Sequence, residues 1–221
     1  MIKAILFDID GTLIDSVDLH ARAWQEALAD FGYEVGFEAV RSQIGKGGDQ
    51  LMPVFVPKDE LERRGDELEA YRSELFKRKY LPDIRPFPGV RALFERLRAD
   101  GKTIVLASSA KADELQRYAR IAEVEDLVEA STSSDEVERS KPFGDIFAAA
   151  LAKAAPTRAE EALSVGDTPY DAQAAGKVGI RTVGVLCGGF PEAELRAAGC
   201  VAIFRDPADL LARYEQSPLA E

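Results

Sequence analysis

Short apolar runs alternate with amphipathic stretches along most of the chain. Six β-rich runs predict strands over residues 2–7, 103–108, 126–131, 161–167, 180–186 and 200–204. Between them, apolar residues at helical spacing predict helices over 89–101, 111–122, 144–155 and 206–216. Nearly continuous apolar strands that alternate with helices are typical of a parallel sheet covered on both faces. We therefore predict an α/β fold with a Rossmann-like, doubly wound parallel sheet.

One interval, residues 16–86, breaks this alternation because its pattern is helical and contains no predicted strand. Helices are predicted over 17–32, 36–45 and 58–81, with a glycine-containing loop at 42–50. We expect 16–86 to form a helical cap inserted into a core built from 1–15 and 87–221. The connectors near 14–18 and 82–88 would be its hinges.

Composition narrows the possible partners. The chain has 221 residues, 46% of them hydrophobic and 30% charged, and a formal net charge of −11. Such a surface repels phosphate backbones, so we expect no nucleic-acid partner. No segment has the length and purity of a membrane span, and the N-terminus lacks the layout of a secretory signal. Two cysteines are too few for a disulfide framework, so a cytoplasmic protein is expected. Nothing marks a dimer face, and a monomer is compatible with the sequence.

Polar residues that could carry chemistry follow the predicted strands. Asp8, Asp10 and Thr12 lie at the end of the first strand, Ser108 or Ser109 at the end of the next, and Asp167 ends the run at 161–167. Lys141 precedes a helix that Pro142 is expected to open, and Asp171 follows Asp167. In open parallel sheets, ligands bind outside the carboxyl ends of the strands. We therefore expect these side chains to meet at one edge.

Such a group suits phosphoryl chemistry. Clustered carboxylates bind Mg²⁺, and a carboxylate can attack phosphorus to give an aspartyl-phosphate. Ser108 and Lys141 would donate to the transferred group as its charge shifts. Taken singly, each residue can be explained by a structural role, since Asp and Gly are common turn residues and Asp167 could cap a helix. It is their joint placement at successive strand ends that favours a site.

The motifs DIDGT (8–12), the serine after TIVLA, the SKP lysine and GDTPYD (166–171) resemble, in chain order, the four motifs of the haloacid dehalogenase-like hydrolases. The helical insertion is similar to the cap of the phosphoglycolate phosphatase and β-phosphoglucomutase subgroup. The resemblance covers nearly the whole chain.

The resemblance implies specific roles. Asp8 would be the nucleophile and a Mg²⁺ ligand, and Asp167 the second carboxylate ligand. Asp171 would support these ligands as a hydrogen-bond partner or by holding a water molecule. Asp10 would protonate the leaving oxygen, deprotonate the attacking water and bind the metal through its backbone carbonyl. Ser108 and Lys141 would hold the phosphoryl group. Asp8 is then expected to stay ionised while Asp10 holds a proton.

Further residues are weighed for substrate binding. Lys46 in the loop at 42–50 could meet an anionic group, His20 could couple cap closure to proton transfer, and Lys111 could reach a second anion. Ser109 and Thr12 lie beside the motif residues. For each, a solvated charge or a structural contact is the alternative reading.

The leading hypothesis is a Mg²⁺-dependent phosphatase for small phosphorylated metabolites. A sugar phosphomutase shares every core motif, with its second phosphate site in the cap and near Lys111. A phosphonate hydrolase would need an imine-forming cap lysine, for which only Lys46 is available. A non-enzymatic phospho-acceptor module is opposed by the cap and by the position of the aspartate after the first strand.

Overall fold

The computed structural model describes all 221 residues, which form eight strands and ten α-helices. The strands are β1 (Ala4–Phe7), β2 (Ile14–Asp15), β3 (Arg85–Pro86), β4 (Thr103–Ala107), β5 (Ala130–Thr132), β6 (Ala162–Gly166), β7 (Arg181–Val185) and β8 (Cys200–Phe204). The helices are α1 (Val17–Asp30), α2 (Phe37–Arg41), α3 (Gly48–Phe55), α4 (Lys58–Lys79), α5 (Val90–Ala99), α6 (Ala112–Ile121), α7 (Asp145–Lys153), α8 (Pro169–Lys177), α9 (Glu192–Ala197) and α10 (Pro207–Ala212).

Six strands form one parallel sheet in the order β5-β4-β1-β6-β7-β8. Strand β1 lies inside it, and all four of its side chains are fully buried. Successive side chains of a strand point to opposite faces. Accordingly, Ile5 and Phe7 pack in one apolar layer, whereas Ala4 and Leu6 pack in the other. This confirms the predicted α/β fold with helices on both faces.

The two layers use different helices. The larger one contains Phe94 of α5, Leu115 of α6 and Leu210 of α10. The smaller one contains Phe147 of α7 and Ala174 of α8. Because the chain runs outward from β1 through β4 to β5 and then crosses to β6, the carboxyl end of β1 lies next to the point where the winding direction reverses. Ligand sites form at such points in open α/β sheets.

Helices α1–α4, called the inserted helices below, have an apolar cluster of their own. On α1, buried Val17, Ala21, Trp24 and Leu28 recur at the spacing of one helix face. They pack against side chains from α2, α3 and α4. No helix of the chain is both long enough and apolar enough to cross a membrane.

Several boundaries differ from the sequence prediction. The segment predicted to be helical over 36–45 is helical only over Phe37–Arg41, and the predicted loop at 42–50 leads into α3. Strand β3 lies inside 16–86, where no strand was expected, and pairs antiparallel with β2. Helix α7 begins at Asp145 and is not opened by Pro142. Helix α10 ends at Ala212, four residues early, in a one-turn 3₁₀ helix.

Candidate active site

Three neighbouring strands deliver three polar side chains to one edge of the sheet. Ser108 follows β4, Asp8 follows β1 and Asp167 follows β6, and these strands are adjacent in that order. All three residues are buried. The sheet topology therefore accounts for why residues far apart in sequence share one site.

Lys141 lies between two carboxylates. Its Nζ donates to Oδ1 of Asp8 and lies 2.8 Å from Oδ1 of Asp171. The lysine side chain is completely buried. Asp171 is held in turn by Thr168, whose backbone N–H and hydroxyl both donate to Oδ2, at 3.1 and 2.7 Å. This capping box at the start of α8 fixes the carboxylate that positions the lysine.

Thr12 contacts the other two carboxylates. Its hydroxyl oxygen lies 3.1 Å from Oδ2 of Asp8 and 3.0 Å from Oδ1 of Asp167, so its single proton is shared between them. Oδ2 of Asp167 is buried and has no hydrogen-bond partner. It occupies space that a Cβ would fill, 2.4 Å from a Cβ built on Gly11 and 1.6 Å from one built on Gly188. Two glycines thus make room for this carboxylate.

The negative charge of the clustered carboxylates is only partly balanced by positive charge. Asp8, Asp167 and Asp171 each offer an oxygen, and the three oxygens lie within 4.8 Å of one another. Burial raises the pKa of Asp8 to about 7, although Lys141 acts to lower it. Burial, followed by the charges of Asp8 and Asp171, raises the pKa of Asp167 well above its usual value. One lysine does not balance three buried acids, so this group is suited to binding a cation.

Asp10 points away from this cluster toward α1. Its Oδ1 accepts a hydrogen bond from Ser16 at 2.6 Å and lies 2.9 Å from Nε2 of His20. Burial acts to raise the pKa of Asp10, but His20, Ser16 and the charge of Arg72 outweigh it, and the pKa is lowered. The pKa directions of Asp8 and Asp10 are therefore the reverse of the expected order. A divalent cation beside Asp8 would lower the pKa of that carboxyl again.

His20 connects Asp10 to the inserted helices. The guanidinium of Arg72 on α4 contacts Nδ1 and can only donate, so Nδ1 is the acceptor and Nε2 carries the proton toward Asp10. The His20 ring stacks on Phe76 at 4.0 Å between centroids. The hydroxyl of Tyr118 lies 3.5 Å from Nε2. The tautomer of His20 is thus set by a residue that the sequence reasoning did not select.

The two serines after β4 have different surroundings. Oγ of Ser108 accepts a hydrogen bond from the Ala110 N–H at 3.0 Å, and the residue is buried. Ser109 lines the cavity beside Asp8 and Asp10, and its buried hydroxyl has no partner.

That cavity has a volume of about 330 Å³ and lies between the sheet edge and the inserted helices. His20, Lys46 and Lys111 all line it, but both lysines are engaged. Nζ of Lys46 lies 2.5 Å from Oε1 of Gln43 and 4.7 Å from the ring centre of Tyr170. Nζ of Lys111 lies 3.4 Å from Oε1 of Glu69 on α4.

Among the contacts that join the inserted helices to the rest of the chain, two groups lie beside the cavity. Asp49 of α3 accepts hydrogen bonds from the backbone N–H and the hydroxyl of Ser140, the residue before Lys141. On the other side, Glu69, Ser73 and Lys77 of α4 recur every four residues. They contact Lys111, Glu114 and Asp113 at the start of α6, at 3.4, 2.9 and 2.8 Å.

Arg72 and Glu114 line the cavity and were not selected from the sequence. Both lie on helices with many charged residues, whose spacing is typical of a solvated face. The available signal for Arg72 was an aromatic residue four positions on, Phe76, over which its guanidinium lies. For Glu114, the signal was its place one turn before Tyr118, on a face that also carries Leu115.

Comparison with known proteins gives a consistent result. Residues 5–185 match the family described as haloacid dehalogenase-like hydrolase. A phosphoglycolate phosphatase of Yersinia pestis is 31% identical over 192 residues, covering 85% of this chain and 82% of that protein. One from Nitrosospira multiformis is 30% identical over 183 residues, covering 80% of each. The crystal structure of a hydrolase from Pseudomonas syringae superposes with a TM-score of 0.87 at 28% identity, covering 97% of this chain and 98% of that one.

Proposed function

Because the chain belongs to the haloacid dehalogenase-like hydrolase family, we propose that it is a Mg²⁺-dependent phosphatase acting on small phosphate monoesters through an aspartyl-phosphate. The observation that carries this proposal is the buried group of Asp8, Asp167 and Asp171 with Lys141 on Asp8, next to a cavity that Asp8 lines. The phosphoglycolate phosphatases among its relatives support the same reaction class.

The residues present fit Mg²⁺. Oδ2 of Asp167 is buried without a partner, and the three clustered carboxylates offer the hard oxygen ligands that this ion prefers. We infer that Asp8 and Asp167 bind it through their side chains and Asp10 through its backbone carbonyl. When bound, the ion would neutralise charge on the carboxylates and on the phosphoryl oxygens. Asp171, already held by Thr168 and Lys141, positions the lysine and is not assigned as a ligand.

Asp8 acts as the nucleophile. One of its carboxylate oxygens attacks phosphorus, and the bond from phosphorus to the leaving oxygen breaks. Lys141 keeps Asp8 oriented and donates to the phosphoryl oxygens. Ser108 and Ser109 supply donors at the same edge, and the Thr12 hydroxyl holds the carboxylates of Asp8 and Asp167. Ser109 has no partner for its hydroxyl, and Ser108 accepts from Ala110 but donates to no group, so both hydroxyls can donate to a ligand.

Asp10 moves the protons. It gives a proton to the leaving alkoxide and later takes one from the water that attacks the aspartyl-phosphate, which releases phosphate and restores Asp8. Its lowered pKa in the free chain does not oppose this role, because a phosphate dianion arriving beside it disfavours the carboxylate and raises the pKa. His20 holds the carboxylate in place for both transfers.

We also propose that residues 16–86 act as a cap over a core formed by 1–15 and 87–221. The inserted helices supply the cavity wall opposite the sheet edge, including Arg72 and Lys46. The β2–β3 pair, which joins the two connectors, is the natural hinge. The phosphomutase alternative is less favoured, because Lys111, expected at a second phosphate site, is paired with Glu69.

The test is hydrolysis of p-nitrophenyl phosphate by the purified protein. We expect turnover with Mg²⁺, loss of turnover in EDTA, and an acid-stable, hydroxylamine-sensitive phosphoenzyme. Asp8→Asn should abolish turnover while the far-UV circular dichroism spectrum stays unchanged. Wild-type turnover by Asp8→Asn would show that another residue is the nucleophile.

A further inference from the structure

The cavity wall carries more negative than positive charge. Besides Asp8 and Asp10, the acidic residues that line it are Asp49, Glu69, Glu114, Asp135 and Glu138. The basic ones are Lys46, Arg72 and Lys111. Because an anionic wall repels anionic ligands, this balance is unfavourable for a leaving group with a carboxylate or a second phosphate.

Each of the three cations on the wall already contacts neighbouring groups of the protein. Lys111 is paired with Glu69 across the boundary between α6 and α4. The ammonium of Lys46 is drawn to Gln43 and the ring of Tyr170, neither of which lines the cavity. Arg72 has its guanidinium against His20 and over the rings of Trp24 and Phe76, at 5.1 and 5.0 Å. Its Nη2 contacts His20, and its buried Nε has no acceptor, which leaves an N–H for a ligand oxygen.

Glu114 differs from the other acids of the wall because it is buried but makes no salt bridge. Its residue is 3% exposed, and its carboxylate accepts hydrogen bonds from Ser73 at 2.9 Å and Tyr118 at 3.4 Å. It makes no salt bridge, and the nearby Lys77 is paired with Asp113 at 2.8 Å. A carboxylate has about four acceptor positions, so Glu114 keeps some for a ligand. A buried charge is stabilised by a partner of opposite sign, and here the ligand can supply it.

Glu114 also lies on the leaving-group side of the site. Tyr118, which contacts it, lies 3.5 Å from Nε2 of His20, and that nitrogen lies 2.9 Å from Asp10. Asp10 is the residue that protonates the leaving oxygen in the proposed reaction. A group attached to that oxygen would extend from Asp10 into the cavity toward Glu114.

We propose that the substrate is a phosphate monoester whose leaving alcohol carries a protonated amine, such as an amino sugar or amino alcohol phosphate, with the ammonium bound by Glu114. A hydroxyl of the same leaving group accepts from Nε of Arg72. The site discriminates against phosphoglycolate and pyrophosphate, whose leaving groups are anionic. This inference rests on the proposed phosphatase function and narrows it.

The experiment measures kcat/KM with Mg²⁺ at pH 6.5 for two matched pairs of substrates. Glucosamine 6-phosphate and glucose 6-phosphate differ in an amine against a hydroxyl, and phosphoethanolamine and phosphoglycolate differ in an ammonium against a carboxylate. We expect the amine to be favoured by roughly tenfold to a hundredfold in the first pair, the size of one charge-assisted hydrogen bond. A larger factor is expected in the second pair. The ratio within each pair cancels any general loss of activity.

Variants assign the effect to Glu114. Glu114→Gln keeps the shape and should bring the first ratio close to one. The same change at Glu62, an exposed residue of α4 paired only with Lys58, should leave both ratios at the wild-type value. Wild-type ratios of one or below would overturn the inference, even if Glu114→Gln does not fold. An unchanged ratio in folded Glu114→Gln would overturn the role of Glu114.

Hydrolysis of p-nitrophenyl phosphate distinguishes a failure of the inference about the leaving group from a failure of the proposed phosphatase function. If the wild type hydrolyses it but shows no preference for the amines, only the inference about the leaving group fails. If the wild type hydrolyses none of the substrates, the phosphatase function fails, and the inference fails with it.

Discussion

Replacing Asp167 by asparagine should stabilise the metal-free protein while it disables the enzyme. The carboxylate of Asp167 lies with those of Asp8 and Asp171 in a group whose oxygens are within 4.8 Å, and Lys141 contacts only the other two. Asparagine has nearly the same shape and can still accept the hydrogen bond from Thr12 at Oδ1. Its amide can donate to a neighbouring carboxylate, where Oδ2 of Asp167 has no partner.

The magnitude follows from two estimates. At an effective dielectric constant of about 20, two unit charges 4.8 Å apart repel by about 3 kcal/mol. Asp167 can avoid this repulsion by binding a proton in the folded state. Because its pKa in the unfolded state is near 3.8, binding that proton at pH 7 costs about 4 kcal/mol, which is therefore the upper limit of the destabilisation. Attraction to Lys141 offsets part of this, so we expect Asp167→Asn to gain about 2 kcal/mol. For a chain of this size, the melting temperature should then rise by roughly 4–8 °C.

The pH dependence has a defined sign. Below pH 3.8, Asp167 is protonated in both the folded and the unfolded state and contributes nothing. As the pH rises above 3.8, the unfolded state ionises while the raised pKa keeps the folded state protonated, so the wild type loses stability. The advantage of Asp167→Asn should therefore be small at pH 4.5 and increase as the pH rises toward neutral.

The assay is thermal unfolding in EDTA at pH 4.5 and 7.5, repeated at pH 7.5 with Mg²⁺. Mg²⁺ should raise the melting temperature of the wild type much more than that of the variant. The matched control is Asp209→Asn. Asp209 is also buried, but Arg205 and Arg213 contact its carboxylate. Burial acts to raise its pKa, and these contacts outweigh burial and lower it. That change should destabilise the protein. If Asp167→Asn also lowers the melting temperature in EDTA at pH 7.5, the picture of an undercompensated site is wrong.

Two further substitutions probe the same site. Lys141→Met removes the only cation that contacts Asp8 and Asp171, so we expect the free energy of unfolding in urea to fall by about 3 kcal/mol and turnover to be lost. An unchanged unfolding midpoint would contradict the pairing. Gly188→Ala places a Cβ 1.6 Å from Oδ2 of Asp167 and should reduce p-nitrophenyl phosphate turnover at least tenfold. The control Gly36→Ala, with no atom within 4 Å of its Cβ, should leave turnover unchanged. Equal rates for the two variants would show that the Asp167 side chain can shift freely.

The sequence predicted most of the sheet because buried strands leave long apolar runs. The strand at 200–204 was predicted to the residue, whereas β5 begins four residues later than expected because Glu125–Leu127 forms a 3₁₀ turn. Helix α3 was missed because its glycine-rich start and Pro53 are typical of a loop. Gly48 is nevertheless helical at a point where a Cβ built on it would lie 3.4 Å from the ring of Trp24. That contact joins segments distant in sequence and leaves no local signal.

The same distinction applies to the site. Residues at strand ends, such as Asp8 and Asp167, were predictable because parallel strands bring their carboxyl ends together. Arg72 and Glu114 reach the cavity through the packing of α4 on α6, which depends on tertiary contacts between two highly charged helices. The order of the pKa values of Asp8 and Asp10 was not predictable either, since it depends on burial and on the partners of Asp10, which include His20 and Ser16.

The short β2–β3 ribbon has a consequence for how this fold can vary. Asp15 pairs with Arg85, so the chain leaves the core and returns to it at neighbouring positions, whatever lies between. Antiparallel partners of this kind can be closed by a turn of two residues. The seventy or so intervening residues (16–84 in this chain) therefore place no demand on the geometry of the sheet. An insert of another length, or a bare hairpin, would leave the strand ends that carry Asp8 and Asp167 where they are, so leaving-group recognition can diverge while the phosphoryl chemistry stays fixed.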